Sequence, residues 1–371
     1  MPNPNLKELA RLFLQLGLIS FGGPAAHTAM MEKEVVKKRG WMSHEHFLDL
    51  LGATNLIPGP NATEMTMHIG MERAGWKGLA LAGLCFILPA AIITAGFAWA
   101  YQRYGQLPEV APFIFGIKPA VIAIVVSALV SLGKKALKNT ELIVLAILTL
   151  GASLLGVNEI AALFGCGLAG LIFYFLKNKF KSANSIIPFV LLFSAPKITQ
   201  LGIFLVFLKI GALLYGSGYV LFAFLDAELV AKGLLTRQQL IDAVAVGQFT
   251  PGPVLSTATF IGWQLKGPWG ALLATAGVFL PSFFFVALLN PLIPRMRRSK
   301  IMAAFLDAVN AASIAVIASV CLEMGRDTLT DWRTVVIAAL GVAVVFGLKK
   351  LNSAFVVLGG AALGYLLWWV G

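Results

Sequence analysis

The sequence predicts an all-α polytopic membrane protein built from two inverted-topology repeats, each of about five transmembrane helices plus a re-entrant helical hairpin. Three observations lead there: apolar runs of membrane length, one set of motifs that occurs twice, and loop charges that fall out of step between the two copies. The 371 residues are 58% hydrophobic and 12% charged, with a mean hydropathy of +0.85. Soluble domains carry roughly 25% charged residues. The runs Leu79 to Ala100, Pro119 to Leu132, Gly270 to Leu289 and Ala354 to Val370 approach or exceed the roughly 20 residues that cross a bilayer.

The N-terminal stretch MPNPNLKELARLFLQLGLIS holds an acidic residue and no small-residue cleavage site. It reads as the first membrane helix rather than a signal peptide. That span is broken at Ser20-Phe21-Gly22-Gly23-Pro24. Next comes a basic loop, Lys33 to Arg39, and then Phe47–Ile57 and Asn61–Gly70, two apolar segments joined by Pro58-Gly59-Pro60. Each segment covers about 15 Å at 1.5 Å per residue, half the hydrocarbon thickness. Residues 47–70 therefore read as a re-entrant hairpin with its tip near the midplane; two full crossings are the competing reading, and the segments are too short for it.

The second PGP, Pro251-Gly252-Pro253, lies 193 residues after the first. At that offset Gly40 meets Gly233 and Asp49 meets Asp242; at 192, Gly70 meets Gly262 and Leu88-Pro89 meets Leu280-Pro281. At 194, Gly17 meets Gly211 and Phe21-Gly22 meets Tyr215-Gly216. The expected units are residues 1–182 and 183–371. Lys134, Lys135, Lys138 and Lys177, Lys179, Lys181 follow their spans, whereas Arg295, Arg297, Arg298, Lys300 and Lys349, Lys350 fall one span out of step. Cytoplasmic placement of every cluster requires inverted copies, an odd number of spans per copy, and both termini outside. The net charge of +12 is thus a topology signal and does not indicate nucleic acid.

Broken backbone at membrane depth is tolerated where it is buried in protein or lines a cavity. Beyond each break a half-helix can present free N–H groups and a positive dipole end to an anion. Candidate substrate ligands are Gly22, Gly23, Pro24, Asn55, Pro58, Gly59, Pro60, Asn61 and Thr63 in the first copy, with Asn61 or Thr63 as a cap. Their counterparts are Gly216, Ser217, Gly218, Gln248, Pro251, Gly252, Pro253 and Ser256. The bland reading, helix kinks and close packing, suits one break better than a matched set. Lys118, inside an apolar run, is either a substrate ligand or a snorkelling lysine. Glu64, His68 and Lys209 are candidates for coupling or gating. Glu64 and His68 share a helix face, but Glu64 would equally stabilise its own helix N-terminus. Glu32, Glu34, Asp226 and Glu228 suit helix-end or gate ion pairs. His44 and His46 sit in a charged loop with no third ligand, and Cys85, Cys166 and Cys321 are too scattered for a disulfide framework or zinc. No HExxH, GxSxG or P-loop occurs, so no enzyme and no cofactor is expected.

FGGPAAHTAMMEKEVVKKRGW, LIPGPNATEMTMHIG and LCFILPA, with YGSGYVLFAFLDAELV and QFTPGPVLSTATFIGW, resemble the chromate ion transporter family in its long, two-domain form. The resemblance implies an inner-membrane protein that exports chromate and confers resistance, with sulfate as the related or competing anion. Its GGP and PGP segments fall on Gly22, Gly23, Pro24 and Pro58, Gly59, Pro60; the second copy departs at the first motif, where Gly216-Ser217-Gly218 stands. An oxyanion exchanger and an oxyanion channel are the alternative functions, lipid is the expected surround, and a homodimer is compatible with the sequence.

Overall fold

The computed structural model describes residues 6–21, 23–105, 107–177, 199–289, 299–348 and 351–370. Gly22, Lys179, Lys181, Arg295, Arg297, Arg298, Lys349 and Lys350 lie outside the described residues, as does the expected unit boundary. Among the described residues the chain is helical throughout, without strands. The first half contains α1 (Leu6–Ile19), α2 (Pro24–Glu32), α3 (His44–Thr54), α4 (Asn61–Tyr104), α5 (Ala111–Ala136), α6 (Thr140–Leu154) and α7 (Glu159–Lys177). The second half contains α8 (Gln200–Leu213), α9 (Val220–Leu225), α10 (Arg237–Phe249), α11 (Thr257–Leu289), α12 (Lys300–Thr328), α13 (Trp332–Gly347) and α14 (Ser353–Trp368). Among the described residues five stretches are long and apolar enough to cross a membrane: Asn61–Tyr104, Ala111–Ala136, Glu159–Lys177, Val254–Leu288 and Lys300–Thr328.

The halves repeat in detail. α2 and α9 each pass into a π-helical turn, Lys33–Lys38 and Asp226–Val230. α4 is two helices joined by a sharp turn at Ala74 and Gly75 (φ 59°, ψ −145°), and α11 turns in the same way at Lys266 and Gly267 (φ 60°, ψ −149°). Only glycine takes such angles without strain. At both turns the chain doubles back so closely that Gly70 rests on the Gly78 backbone and Gly262 on the Gly270 backbone. The pair His44–Glu32 (3.4 Å) has its counterpart in Arg237–Asp226 (3.3 Å).

Equivalent helices run antiparallel where they meet. Gly83 of α4 lies beside Phe283 of α11, while Ala98 accepts a hydrogen bond from Gln264. Gly133 of α5 faces Ile314 of α12, while Lys138 pairs with Asp307. The halves also exchange partners: α5 packs on α13 and α14, as α12 packs on α6 and α7.

The first helix departs from the expectation of a broken full span. Lys209 Nζ on α8 reaches Glu228 Oε1 beyond α9 at 2.6 Å. A helix continued over those 19 positions would hold them about 28 Å apart. In the first half Glu8 and Arg39 pair at 3.5 Å. Both segments therefore fold back at their breaks, making a second hairpin in each half. The expected PGP hairpin is present: His46 at the start of α3 bonds Glu72, near the end of the first arm of α4, at 2.6 Å.

Candidate functional site

The four tips meet. Gly59 N–H donates to the Leu214 carbonyl (2.7 Å), and Gly252 N–H donates to the Ser20 carbonyl (2.8 Å). Each PGP loop thus satisfies a carbonyl at the break of the opposite half. A positive φ makes this approach feasible, 140° at Gly59 and 90° at Gly252. A Cβ on Gly23 would lie 3.5 Å from the Tyr219 hydroxyl, and Gly218 faces Val254 and Leu255 beside the second PGP. Gly216, also at positive φ, abuts Ser313 and Asn310 of α12, and Ser313 Oγ bonds the Tyr215 carbonyl.

Pro60 is the N-cap of α4 and Pro253 that of the short 3₁₀ turn leading into α11; neither supplies a side-chain cap. Asn61 does not cap its helix as expected: its side-chain amide donates to Asn55 Oδ1 at 2.6 Å. The first-turn N–H groups of both half-helices consequently have no side-chain partner, the arrangement that suits an anion. Buried polar atoms at these ends without a hydrogen-bond partner among the described residues include the hydroxyls of Thr63, Ser256 and Ser20, and at the first tip also Ser282 Oγ and both carboxyl oxygens of Glu64. Thr63 and Ser256 are equivalent in the repeat. Buried polar groups are nearly always paired, so this one equivalent pair of hydroxyls has donors that a polar guest could use. Pro58, Pro60, Pro251, Pro253 and Ser217 are buried at these ends, and Pro24 begins α2.

Other expected residues lie elsewhere. Lys118 pairs with Asp242 (3.3 Å) and Gln238 (2.7 Å) on α10, more than two turns before the second tip. Lys209 is held by Glu228, which also takes Lys232 at 2.6 Å. Glu34 pairs with Lys38 and Arg39; those cations hold its carboxyl below the usual range. These acids form ion pairs, as their helix-end positions suggest. Asn55 is exposed, whereas its counterpart Gln248 is buried. Glu64 is fully buried, its carboxyl against Gly59 and the Ser282 hydroxyl. His68 is buried one turn beyond it. Ser282 and Tyr219 were not anticipated; Ser282 follows Pro281 in the Leu-Pro motif, the one signal that could have drawn attention to it. No group of His, Cys, Asp and Glu among the described residues could hold a metal.

The family model described as Chromate transporter matches twice, over residues 7–171 and 201–365. The chain belongs to the chromate transporter family. Its duplication is therefore visible to the family pattern itself. The chain is 31% identical to the chromate transport protein of Cupriavidus metallidurans, over 98% of this chain and 93% of the relative. It is 31% identical to the probable chromate transport protein of Synechococcus elongatus, over 99% and 97%. The chromate transport protein of Pseudomonas aeruginosa is 29% identical, over 99% and 93%. No solved structure matches the chain.

Proposed function

We propose that this chain exports chromate across the cytoplasmic membrane by alternating access, holding the dianion between the four hairpin tips. The observation that carries this reading is the crossed pair of hydrogen bonds, Gly59 to Leu214 and Gly252 to Ser20. It brings two uncapped half-helices beside buried, unpartnered hydroxyls. A tetrahedral oxyanion offers acceptors in every direction, which suits N–H and O–H donors without a fixed cation.

The repeats are inverted in the membrane on this reading, with units 1–182 and 183–371. Arg39, Arg73, Lys77, Lys134, Lys138, Lys177 and Lys300 gather at one end of the bundle, the cytoplasmic one. With two hairpins per half, α4 after its turn, α5, α6 and α7 are four crossings. α7 ends with Lys177 at the cytoplasmic side and α8 begins with Gln200 at the other. The start of α1, tied to Arg39 through Glu8, is then cytoplasmic and the end of α14 outside, so on this reading the expectation of both termini outside does not hold. A dianion leaving an inside-negative cell gains about 2 × 2.3 kcal/mol per 100 mV, so efflux needs no coupled ion. Sulfate, of the same shape and charge, is the expected competitor.

The test is chromate uptake into everted vesicles under imposed voltage. Thr63→Val with Ser256→Ala removes two donors to a charged group, each worth about 1.5–3 kcal/mol. Apparent chromate affinity should fall at least about tenfold, with the protein still in the membrane. Unchanged affinity would remove the tips as the binding site, and flux indifferent to voltage would sink the electrogenic scheme.

A further inference from the structure

The two halves match in backbone but not in how far their PGP hairpins are closed. α10 buries Leu240, Ile241, Asp242, Ala243, Val244 and Ala245 in succession, packed against α5, α12 and α14. Its counterpart α3 buries only Phe47, Leu50, Ala53 and Thr54, a single stripe, and packs on α4. Among the described residues it has no packing of similar extent on α12, α5 or α7, the equivalents of α10's neighbours. Asp242 is 6% exposed, whereas its equivalent Asp49 is exposed. Gln248 is 3% exposed, whereas Asn55 is exposed. If the halves adopted one conformation, these pairs would be equally covered.

We infer that α3 and α10 are alternating gates, and that the structure holds the outer gate shut and the inner gate open. Lys118, Asp242 and Gln238 form the outer latch. This rests on the transport reading above and adds to it the moving parts. In the latch Lys118 Nζ meets Asp242 Oδ1 at 3.3 Å and Gln238 Oε1 at 2.7 Å; Tyr101 donates to Asp242 at 2.6 Å, and Gln238 donates to the Asp327 carbonyl at 3.4 Å. These residues wall a cavity of about 580 Å³ at the outer end, whose lining includes no residue of either tip. The latch thus separates the outer face from the tips.

Repeat symmetry names the contact of the opposite state. The offsets carry Gln238 to Glu45 and Asp327 to Lys135. Both are exposed here. When α3 swings onto α5 and α12 as α10 now rests on its own neighbours, Glu45 approaches Lys135 with opposite charges, and Asp49 approaches Asn310, the equivalent of Lys118. The inner latch is therefore Glu45 with Lys135, made only after the outer one breaks. The two latches differ in chemistry although their frames match.

The experiment uses the full chain with its three cysteines replaced by alanine, once that background is shown to transport chromate. Lys118→Cys with Gln238→Cys places a thiol pair in the outer latch; Glu45→Cys with Lys135→Cys places one in the inner latch. A short bifunctional thiol reagent should join either pair, each link should stop uptake, and reduction should restore it. With all four thiols present, joining the outer pair first should suppress the inner link at least fivefold. Lys118→Ala should raise inner-pair linking at least threefold. An inner pair that never links in an active protein, or an outer link that leaves transport intact, overturns the gates. Mutually exclusive links without chromate flux would keep the gates and discard the substrate.

Discussion

Gly252→Ala is expected to cut chromate uptake into everted vesicles at least tenfold. The residue sits at φ 90°, in the region where a Cβ costs roughly 1–2 kcal/mol. A methyl there would come within 2.7 Å of the Ala90 Cβ and 3.2 Å of the Gly17 carbonyl oxygen. Neither neighbour can swing aside, because Ala90 is buried on α4 and the Gly17 carbonyl is backbone of α1, packed on α4. The loop would have to retreat from Ser20, losing the 2.8 Å bond that ties the tip to the opposite half, about 1 kcal/mol more. Together these amount to about 2–3 kcal/mol, concentrated where the anion is proposed to bind. Gly59→Ala should behave alike, since its methyl would strike the Glu64 carboxyl and the Ser282 hydroxyl. Gly267→Ala is the control. It has a similar φ of 60° but nothing within 4 Å of a Cβ, so it should show backbone strain in thermal stability and retain uptake. Equal loss at Gly252 and Gly267 would mean that glycine flexibility, not the crossed tips, is what matters.

Much of this architecture was legible because the chain states it twice. A glycine that must take φ near +60° leaves the same mark in both copies, and so Gly75 with Gly267 and Gly40 with Gly233 could be found by offset alone. Two features were not legible. Gly22-Gly23-Pro24 signals a break but not its angle, because the same residues serve a kink and a reversal. Contacts between positions far apart in sequence, Glu8 with Arg39 and Lys209 with Glu228, decide for the reversal. Lys118 stood out as a charge inside an apolar run, but its partner Asp242 is 124 positions away. Sequence spacing within one helix does not reveal such a pair. Glu64 stays as the residue least accounted for by anion binding: a buried carboxyl touching Gly59 repels a dianion unless it carries a proton, and Glu64→Gln uptake measured across pH would show whether that proton is used.

Gly116→Leu should prevent stable folding, with no folded protein recovered in mild detergent. Gly116 of α5 and Gly364 of α14 touch backbone to backbone. A Cβ on Gly116 would come within 2.6 Å of the Gly364 Cα, and one on Gly364 within 2.6 Å of the Pro112 carbonyl oxygen. Gly360, one turn before Gly364, completes a small-xxx-small face against the same helix. Between membrane helices the surrounding lipid is as apolar as the side chains, so close packing is the main attraction available. Even one methyl at such a crossing costs about 1–3 kcal/mol through overpacking, and leucine adds three more carbons with no direction in which to go. The consequence reaches the site because α14 and α5 flank α10, the helix that carries Gln248 and the second tip. Gly359 supplies the contrast within the same helix: nothing lies within 4 Å of its notional Cβ, so Gly359→Leu should retain both the thermal midpoint and uptake. If Gly116→Leu folded with an unchanged midpoint, the exchange of helices between halves would not be what holds the bundle together.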